Sequence, residues 1–155
     1  MALNAGLLIP PFMSTFRKFN VVPEIAATEM VQGIDSYLRS SMNIALGNFL
    51  FWVPPVGQVI TLFRTPNVVP EIFATQLAAA IESGLSSIYT LYQISLVVPY
   101  GLMLGDLIRI CRTPNIVPEV FAIEMAIAID KECRSIIVTA TDPKLLGTPI
   151  VGPLF

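Results

Sequence analysis

One motif occurs three times along the chain. The segments FRKFNVVPEIAATEM, FRTPNVVPEIFATQL and CRTPNIVPEVFAIEM each contain, in order, an arginine, an asparagine, an aliphatic pair, Pro-Glu and an apolar stretch. The glutamates of the motif, Glu24, Glu71 and Glu119, lie 47 and 48 residues apart. A period of this length is typical of proteins that repeat one helical unit. The chain is therefore expected to contain one helical unit in three copies.

Each Pro-Glu pair predicts the start of a helix. Proline in the first helical turn loses no intrahelical hydrogen bond, and the glutamate that follows complements the positive end of the helix dipole. Long helices are therefore expected from about Pro23, Pro70 and Pro118. Apolar residues then recur at offsets of three, three and four residues, as on one buried helix face. The members of these stripes are Ala27, Met30 and Ile34, then Ala74, Leu77 and Ile81, then Ala122, Met125 and Ile129.

Four residues of each motif are interpreted as a structural corner. The arginines are expected to pair with the glutamate of a neighbouring helix start or with exposed carbonyls, and binding of anionic lipid headgroups is the alternative. The asparagines are expected to form turns, since asparagine readily bonds its own nearby backbone. A catalytic site would require only one such set of residues. Three similar copies therefore predict equivalent, partly buried structural joints. The corner residues are Arg17, Asn20, Pro23 and Glu24, then Arg64, Asn67, Pro70 and Glu71, then Arg112, Asn115, Pro118 and Glu119.

Other charged residues also recur at matched positions. Asp35 and Arg39 have the spacing of an ion pair on one helix face, and Asp130 and Arg134 repeat it. The middle copy lacks this pair, as expected for an interaction of about a few tenths of a kcal/mol.

Two further glutamates allow two interpretations. Glu29 and Glu124, with Gln76 at the equivalent middle position, are expected on a polar helix face or at a contact between subunits. The alternative is a polar pathway within a membrane bundle, where ionisable groups are usually functional.

The composition indicates a protein that buries much of its surface against something else. Apolar residues make up 54% of the chain and charged residues 13%, compared with roughly 25% charged residues in ordinary soluble domains. Such a chain buries apolar surface in lipid, against a partner or against copies of itself. The net charge of −2 and the absence of a basic run give no electrostatic footprint for nucleic acid.

Two charge-free runs, residues 40–63 and 83–105, reach the length of a membrane-spanning helix. If both runs span, the flanking positive charges obey the positive-inside rule with cytoplasmic termini. Pro54-Pro55 and Pro99 interrupt them, however, and favour a helix, a corner and a short helix in each run. Single crossings would also separate the middle repeat from its two near-copies. The sequence leaves open whether the apolar surface faces lipid or protein.

The expected fold class is all-α, with proline corners and short apolar connecting helices. The β-branched patches SIIVTAT and NIVPEV alternate too briefly to predict a sheet. We expect a single domain, 1–155, with repeats at approximately 8–51, 52–96 and 97–141. The apolar C-terminal arm, 142–155, is expected to dock on a neighbouring copy or to lie as a strap over its own core.

Catalysis is not expected. The chain has no histidine, and no Gly-rich phosphate loop or GxSxG motif occurs. Cys111 and Cys133 lack metal-ligand spacing and are expected to be free thiols, since a helix from Pro118 would carry Cys133 about 22 Å along its axis. No catalytic, cofactor or metal site is predicted, and the N-terminal segment lacks the basic region of a cleavable targeting signal.

These features predict a non-enzymatic structural subunit. It is expected to self-assemble through apolar surfaces into a shell, a filament or a membrane-associated lattice, for example a virion or other particle coat, with copies of itself as partners. The alternative is a small polytopic integral membrane protein, such as a pore or transporter component, with lipid as its partner. Both hypotheses, the structural subunit and the membrane protein, place the protein at a membrane or in a large assembly.

Overall fold

The structure, a computed structural model, describes residues 4–18, 22–40, 42–43, 48–49, 52–66, 68–88, 94–141 and 149–153. Six α-helices within these residues confirm the helical class that the sequence predicts. A short 3₁₀ turn, Ala5–Leu7, precedes them. The helices are α1 (Ile9–Arg17), α2 (Pro23–Ser40), α3 (Val56–Arg64), α4 (Pro70–Leu85), α5 (Leu102–Arg112) and α6 (Pro118–Arg134).

The three long helices begin at the predicted prolines. α2 starts at Pro23, α4 at Pro70 and α6 at Pro118. The residues before the last two prolines, Val69 and Val117, have ψ angles of 135° and 145°, because the proline ring disfavours helical geometry in the residue that precedes it. The prediction of helix starts at the Pro-Glu pairs is therefore confirmed.

Each long helix follows a short helix that ends at a corner arginine. α1 ends at Arg17, α3 at Arg64 and α5 at Arg112. In the third corner Asn115 has a φ of 54°, a left-handed conformation that asparagine tolerates better than most residues. This geometry fits the expected turn-forming role of Asn115. Asn20 and Asn67 lie outside the described residues.

The helices contact one another in a closed cycle. Each helix packs against the next one along the chain, and α6 packs back against α1. Within each pair of a short and a long helix, the chain reverses at a corner. Each short helix also lies against a long helix of a different pair: α1 against α6, α3 against α2 and α5 against α4. The cycle therefore joins three helical hairpins side by side.

The interior of this cycle holds the predicted apolar stripes. All nine stripe residues are at most 1% exposed, and they belong to one hydrophobic cluster with residues from the short helices. Burying one leucine, isoleucine or methionine side chain contributes about 1.5–3 kcal/mol relative to leaving it in water. The helical periodicity read from the sequence therefore locates the core correctly.

In the described parts of the chain, five short strands accompany the helices, and one of them corrects a sequence prediction. The patch SIIVTAT was expected not to enter a sheet, yet Ile137–Thr141 forms the central strand, β4, of a three-stranded antiparallel sheet. This strand is stabilised by pairing with two other segments of the chain. The short alternation of apolar and polar residues within the patch does not predict these partners. The patch NIVPEV forms no strand and contains the start of α6. The strands are β1 (Met42–Asn43), β2 (Asn48–Phe49), β3 (Ile94–Val97), β4 (Ile137–Thr141) and β5 (Pro149–Pro153).

The strands also revise the expectation for the two charge-free runs. The residues before the prolines of each run were expected to be helical, but β1 and β2 precede Pro54 in the first run and β3 precedes Pro99 in the second. After these prolines, the predicted short helix α3 fills most of the rest of the first run, and α5 begins in the second run and continues beyond it. Among the described residues, no helix has the length and apolar character needed to cross a membrane.

The described part of the C-terminal arm pairs with its own chain. Pro149–Pro153 forms β5, which lies antiparallel to β4 with Ile137 opposite Pro153 and Thr141 opposite Pro149. A proline cannot donate to a ladder and is therefore suited to an edge strand. These residues therefore lie against β4 of the same chain.

Both cysteines are free thiols, as predicted. Cys133 is fully buried in α6, and Cys111 is half-buried near the end of α5. Burial raises the pKa of both thiols above the ordinary value, because a thiolate loses its hydration in the apolar interior.

We predict opposite effects for two helical glycine substitutions. In Gly84→Ala the new Cβ would lie 2.7 Å from Trp52 Cζ3 and 2.9 Å from Pro55 Cδ, and such overpacking typically costs about 1–3 kcal/mol. Gly105→Ala meets no atom within 4 Å, so the alanine is expected to stabilise α5 by about 0.5–1 kcal/mol. Urea denaturation of both variants measures the difference, and equal shifts in one direction would contradict this packing.

Candidate assembly surface

The corner arginines and glutamates form a cycle of ion pairs. Arg17 Nε donates to Glu119 Oε1 at 2.7 Å. Arg64 donates to Glu24, and Arg112 donates to Glu71. Each arginine at the end of a short helix thus reaches the first turn of a long helix in another hairpin. Because the pairs link corner to corner, all three corners lie at one end of the helical cycle.

These ion pairs are more exposed than the sequence predicted. The arginine side chains are 56–61% exposed and the glutamate side chains 35–39% exposed. Water and salt screen such pairs, so exposed pairs contribute little stability. The expectation of partly buried joints is corrected on this point, because the charged atoms lie on the outer surface of the corners.

The pKa values of the three corner glutamates are lowered by the same causes. The largest is the hydrogen bond from the main-chain N–H of the glutamate itself, and the second is the hydrogen bond from its arginine partner. Both stabilise the carboxylate form at the start of a helix. Glu24, Glu71 and Glu119 therefore have the same local chemistry.

Exposed aliphatic side chains accompany each corner. They occupy the position before the corner proline and the position two residues after it. All six are 42–52% exposed, although large aliphatic residues usually bury more of their surface. We call this set the corner face. Its members are Val22, Ile25, Val69, Ile72, Val117 and Val120.

An open aromatic cavity lies at the same end of the molecule. Its volume is about 330 Å³, and its lining is apolar. Phe16 and Phe121 pack edge to face with ring centroids 4.8 Å apart, and Phe63 and Phe73 do so at 5.7 Å. The rings come from the last turns of α1 and α3 and the first turns of α4 and α6. The lining residues are Phe16, Phe63, Phe73, Ile116, Pro118, Phe121 and Met125.

The glutamates at the other matched position pair locally. Glu29 accepts hydrogen bonds from Lys18 and Thr15, and Glu124 accepts one from Arg109 at 3.0 Å. Gln76 is exposed and lines an open groove between α3 and α4. These contacts place the three residues on polar helix faces, the first of the two interpretations that the sequence allows.

The two ion pairs predicted within helices are present, and their aspartates also accept a second hydrogen bond. Arg39 donates to Asp35, and Arg134 donates to Asp130, each at 2.7 Å. The other oxygen of Asp130 accepts a 2.6 Å hydrogen bond from Tyr37, a residue of α2 that is 1% exposed. Buried hydrogen bonds to charged groups contribute more than exposed ones. This contact therefore ties α2 to α6 near the ends opposite the corners.

Asp35 takes part in a similar contact with a neutral donor. The indole Nε1 of Trp52 donates to Asp35 Oδ1 at 2.8 Å. Trp52 is buried, whereas Tyr100 is 67% exposed. The indole therefore lies in the protein interior and connects the segment before α3 to α2.

Sequence reasoning missed a pair of buried carboxyl groups. Glu82 accepts a 2.8 Å hydrogen bond from the Gly101 N–H, and Glu132 Oε2 accepts a 2.9 Å bond from the Met103 N–H. Both amides belong to the start of α5. The signal for Glu132 was present, because it lies three residues after Ile129 and thus on the apolar stripe of α6, where a carboxyl group is unexpected.

In the part of the chain that the structure describes, no group of three or more cysteine and acidic side chains is arranged to hold a metal ion. The chain matches no protein family model, and no curated protein or solved structure matches it. The case for a function therefore depends on the surfaces described above.

We predict that Tyr37→Phe destabilises the protein through the loss of one hydrogen bond. The Tyr37 hydroxyl donates to Asp130 in a partly buried contact, and a hydrogen bond to a charged group contributes roughly 1.5–3 kcal/mol. Tyr100→Phe is the matched control, since Tyr100 is 67% exposed. Thermal denaturation should show a lower Tm for Tyr37→Phe alone, and equal Tm values for the two variants would contradict the role of this contact.

Proposed function

We propose that the protein is a non-enzymatic structural subunit that self-assembles through its corner face. In this proposal the chain is one domain, built from three helical repeats at approximately 8–51, 52–96 and 97–141, and it forms a shell, a filament or a membrane-associated lattice. The observation that supports it most is the set of six exposed aliphatic residues at aligned positions of the three motifs.

Exposed aliphatic residues at aligned positions favour association. Isolated apolar residues on a surface need no explanation, but grouped ones mark interaction sites. Here the same two positions are exposed to nearly the same extent at all three corners. Removing these side chains from water contributes about 25 cal/mol per Å² of apolar area. Three such patches on one end supply several contacts at once, which suits a subunit of a larger assembly.

The charges around the corner face favour a second copy as the partner. Three arginines and three glutamates pair corner to corner, so these six residues carry no net charge. An anionic lipid surface or a nucleic acid selects an excess of positive charge. A copy that docks about a two-fold axis presents the same charges and the same aliphatic residues, and an isologous contact of this kind is self-complementary.

The aromatic cavity provides a second element of such a contact. It is open, and it lies among the first turns of the helices that carry the aliphatic side chains. Aromatic and aliphatic anchors that enter apolar pockets dominate the binding energy of interfaces. We propose that aliphatic side chains of the partner copy contact this cavity.

We predict that charges on the corner face abolish assembly. The triple variant Ile25→Asp, Ile72→Asp and Val120→Asp keeps the buried stripes intact but makes burial of the face costly. Wild-type protein should form oligomers or larger particles in detergent-free buffer, and the triple variant should be monomeric in analytical ultracentrifugation and negative-stain images. Ile127→Asp is the matched control, because Ile127 is 53% exposed on α6 but belongs to no corner.

Three results would contradict this proposal. One is a wild-type protein that remains a monodisperse monomer at high concentration. Another is a triple variant that assembles as well as the Ile127→Asp control. The third is wild-type protein that floats with neutral or anionic lipid vesicles without self-association, since that result would identify lipid as the partner.

We predict equal effects for the three corner glutamates, as expected if the corners are equivalent joints. Glu24→Gln, Glu71→Gln and Glu119→Gln should each lower the Tm or the assembly yield slightly and to a similar extent. Because the folded-state pKa of each glutamate is lowered, the carboxylate contributes stability above the ordinary value of 4.5 that is lost as the pH falls through the lowered pKa.

Thermal denaturation at several pH values tests this equivalence. The difference between wild type and each glutamine variant should shrink below pH 4.5, the ordinary value of these groups, and at high salt, where exposed ion pairs are screened. If one variant lost a measurable activity while folding and assembly were intact, and the other two were silent, that corner would be a functional site rather than a joint.

A further inference from the structure

Three acidic residues occupy aligned positions near the end of the molecule opposite the corners. Asp35, Glu82 and Asp130 follow one another at the same spacings of 47 and 48 residues as the corner glutamates. Two of the three accept a hydrogen bond from a buried neutral donor. Tyr37 donates to Asp130 at 2.6 Å, and Trp52 donates to Asp35 at 2.8 Å.

The position of Tyr37 is occupied differently in the other two copies. Its middle counterpart is Gly84, and the space next to this glycine is filled by Trp52, whose Cζ3 lies 2.7 Å from where a Cβ of residue 84 would be. The indole therefore takes the place of the missing side chain and bonds Asp35. The counterpart of Tyr37 in the third copy is Glu132. A carboxyl group thus stands where the other two contacts have a neutral donor.

Glu132 is fully buried and has one oxygen without a partner. Its Oε2 accepts from the Met103 N–H, whereas Oε1 has no hydrogen-bond partner among the described residues. Glu82, which is 9% exposed, accepts from the Gly101 N–H. The Cα atoms of Gly101 and Met103 are at most about 7.6 Å apart, because consecutive Cα atoms are 3.8 Å apart. The two carboxyl groups therefore bind amides of the same helix start.

We propose that Glu132 is protonated in the folded protein and donates its proton to the Glu82 carboxylate. This carboxyl–carboxylate bond would be the third member of the series that Tyr37–Asp130 and Trp52–Asp35 begin. It satisfies Glu132 Oε1, and it places a single negative charge, on Glu82, at the start of α5. A helix start with free N–H groups stabilises one anion, while two adjacent ionised carboxylates repel each other. The inference is independent of the proposed function.

The two cations nearest in sequence to Glu132 are hydrogen-bonded to other carboxylates, although the charge of Lys131 still opposes the rise in the Glu132 pKa. Lys131, next to Glu132, is bonded to Asp106 of α5 at 3.0 Å. Arg134 is bonded to Asp130. The 3₁₀ turn that contacts α6 contains no titratable side chain.

The other charged groups of the neighbouring helices lie elsewhere. Arg17 of α1 pairs at the opposite end of α6 with Glu119. On α5, Arg109 pairs with Glu124, and Arg112 pairs with Glu71 of α4. These contacts belong to the helix face or to the corners. Glu82 is therefore the acceptor that we propose for the Glu132 proton.

The expected pH dependence follows from this environment. Burial raises the pKa of Glu132 above the ordinary value of 4.5. The bond from Met103 opposes this shift, the nearby charge of Glu82 adds to it, and the charge of Lys131 opposes it. A raised folded-state pKa contributes stability that is complete below the unfolded-state value and is lost as the pH rises through the folded-state value. One such proton changes the folding equilibrium constant by up to about tenfold per pH unit between the two values.

The variant Glu132→Gln tests the proposal. A glutamine amide donates to Glu82 at every pH, so the variant should lose the one-proton decrease in stability that wild type shows above pH 4.5, the ordinary glutamate value. Urea denaturation at closely spaced pH values measures this slope. Glu124→Gln is the control, because Glu124 lies on the same helix and pairs at the surface with Arg109. Its slope in that pH range should equal that of wild type.

A direct measurement on wild-type protein does not depend on whether the variant folds. Infrared difference spectra with ¹³C-labelled glutamate should show one protonated carboxyl group at neutral pH in the folded protein, which disappears in Glu132→Gln and persists in Glu124→Gln. A spectrum of folded wild type with only ionised carboxylates at neutral pH would overturn the proposal. A stability slope for Glu132→Gln equal to that of wild type would overturn it as well.

Discussion

The contact between α6 and α1 is the constraint on which the arrangement of the helices depends. It joins the last helix to the first and closes the cycle of helical contacts. An open row of helical hairpins would leave an apolar face exposed at each end, whereas the closed cycle gives every helix two helical neighbours. Contacts over long sequence distances accompany the closure, since Arg17 reaches Glu119 and Tyr37 reaches Asp130.

The two ends of the molecule combine polar and apolar groups in opposite ways. At the corners, ion pairs lie on the surface beside exposed aliphatic side chains, so the charges are screened and the apolar groups are available for contact. At the other end, the carboxyl groups of Asp130, Glu82 and Glu132 receive hydrogen bonds in or near the interior. Buried polar groups are costly unless they are paired. Stability is therefore expected to depend more on this end, and the self-association that we propose on the corners.

Much of the helical fold could be predicted from local sequence patterns. The Pro-Glu pairs marked three helix starts, and the apolar offsets identified the buried faces, because both signals depend on residues within a few turns of one another. Strand β4 could not be predicted in this way. Its five residues, Ile137–Thr141, pair with β3 and β5, and β3 lies about forty residues earlier in the chain, so its stability comes from partners that a local pattern does not contain.

The sequence by itself determined the helical fold class, the prolines at which the three long helices begin and the residues of the corners. It also offered a glutamate at a neighbouring helix start as one of the possible partners of each corner arginine, beside exposed carbonyls and lipid headgroups. Only the tertiary structure decided which arginine pairs with which glutamate, that these pairs are exposed, and that Glu82 and Glu132 both accept from amides at the start of α5. The physical reason is that pairing, burial and the shift of a pKa depend on neighbours distant in sequence, which the packing of α4, α5 and α6 brings together.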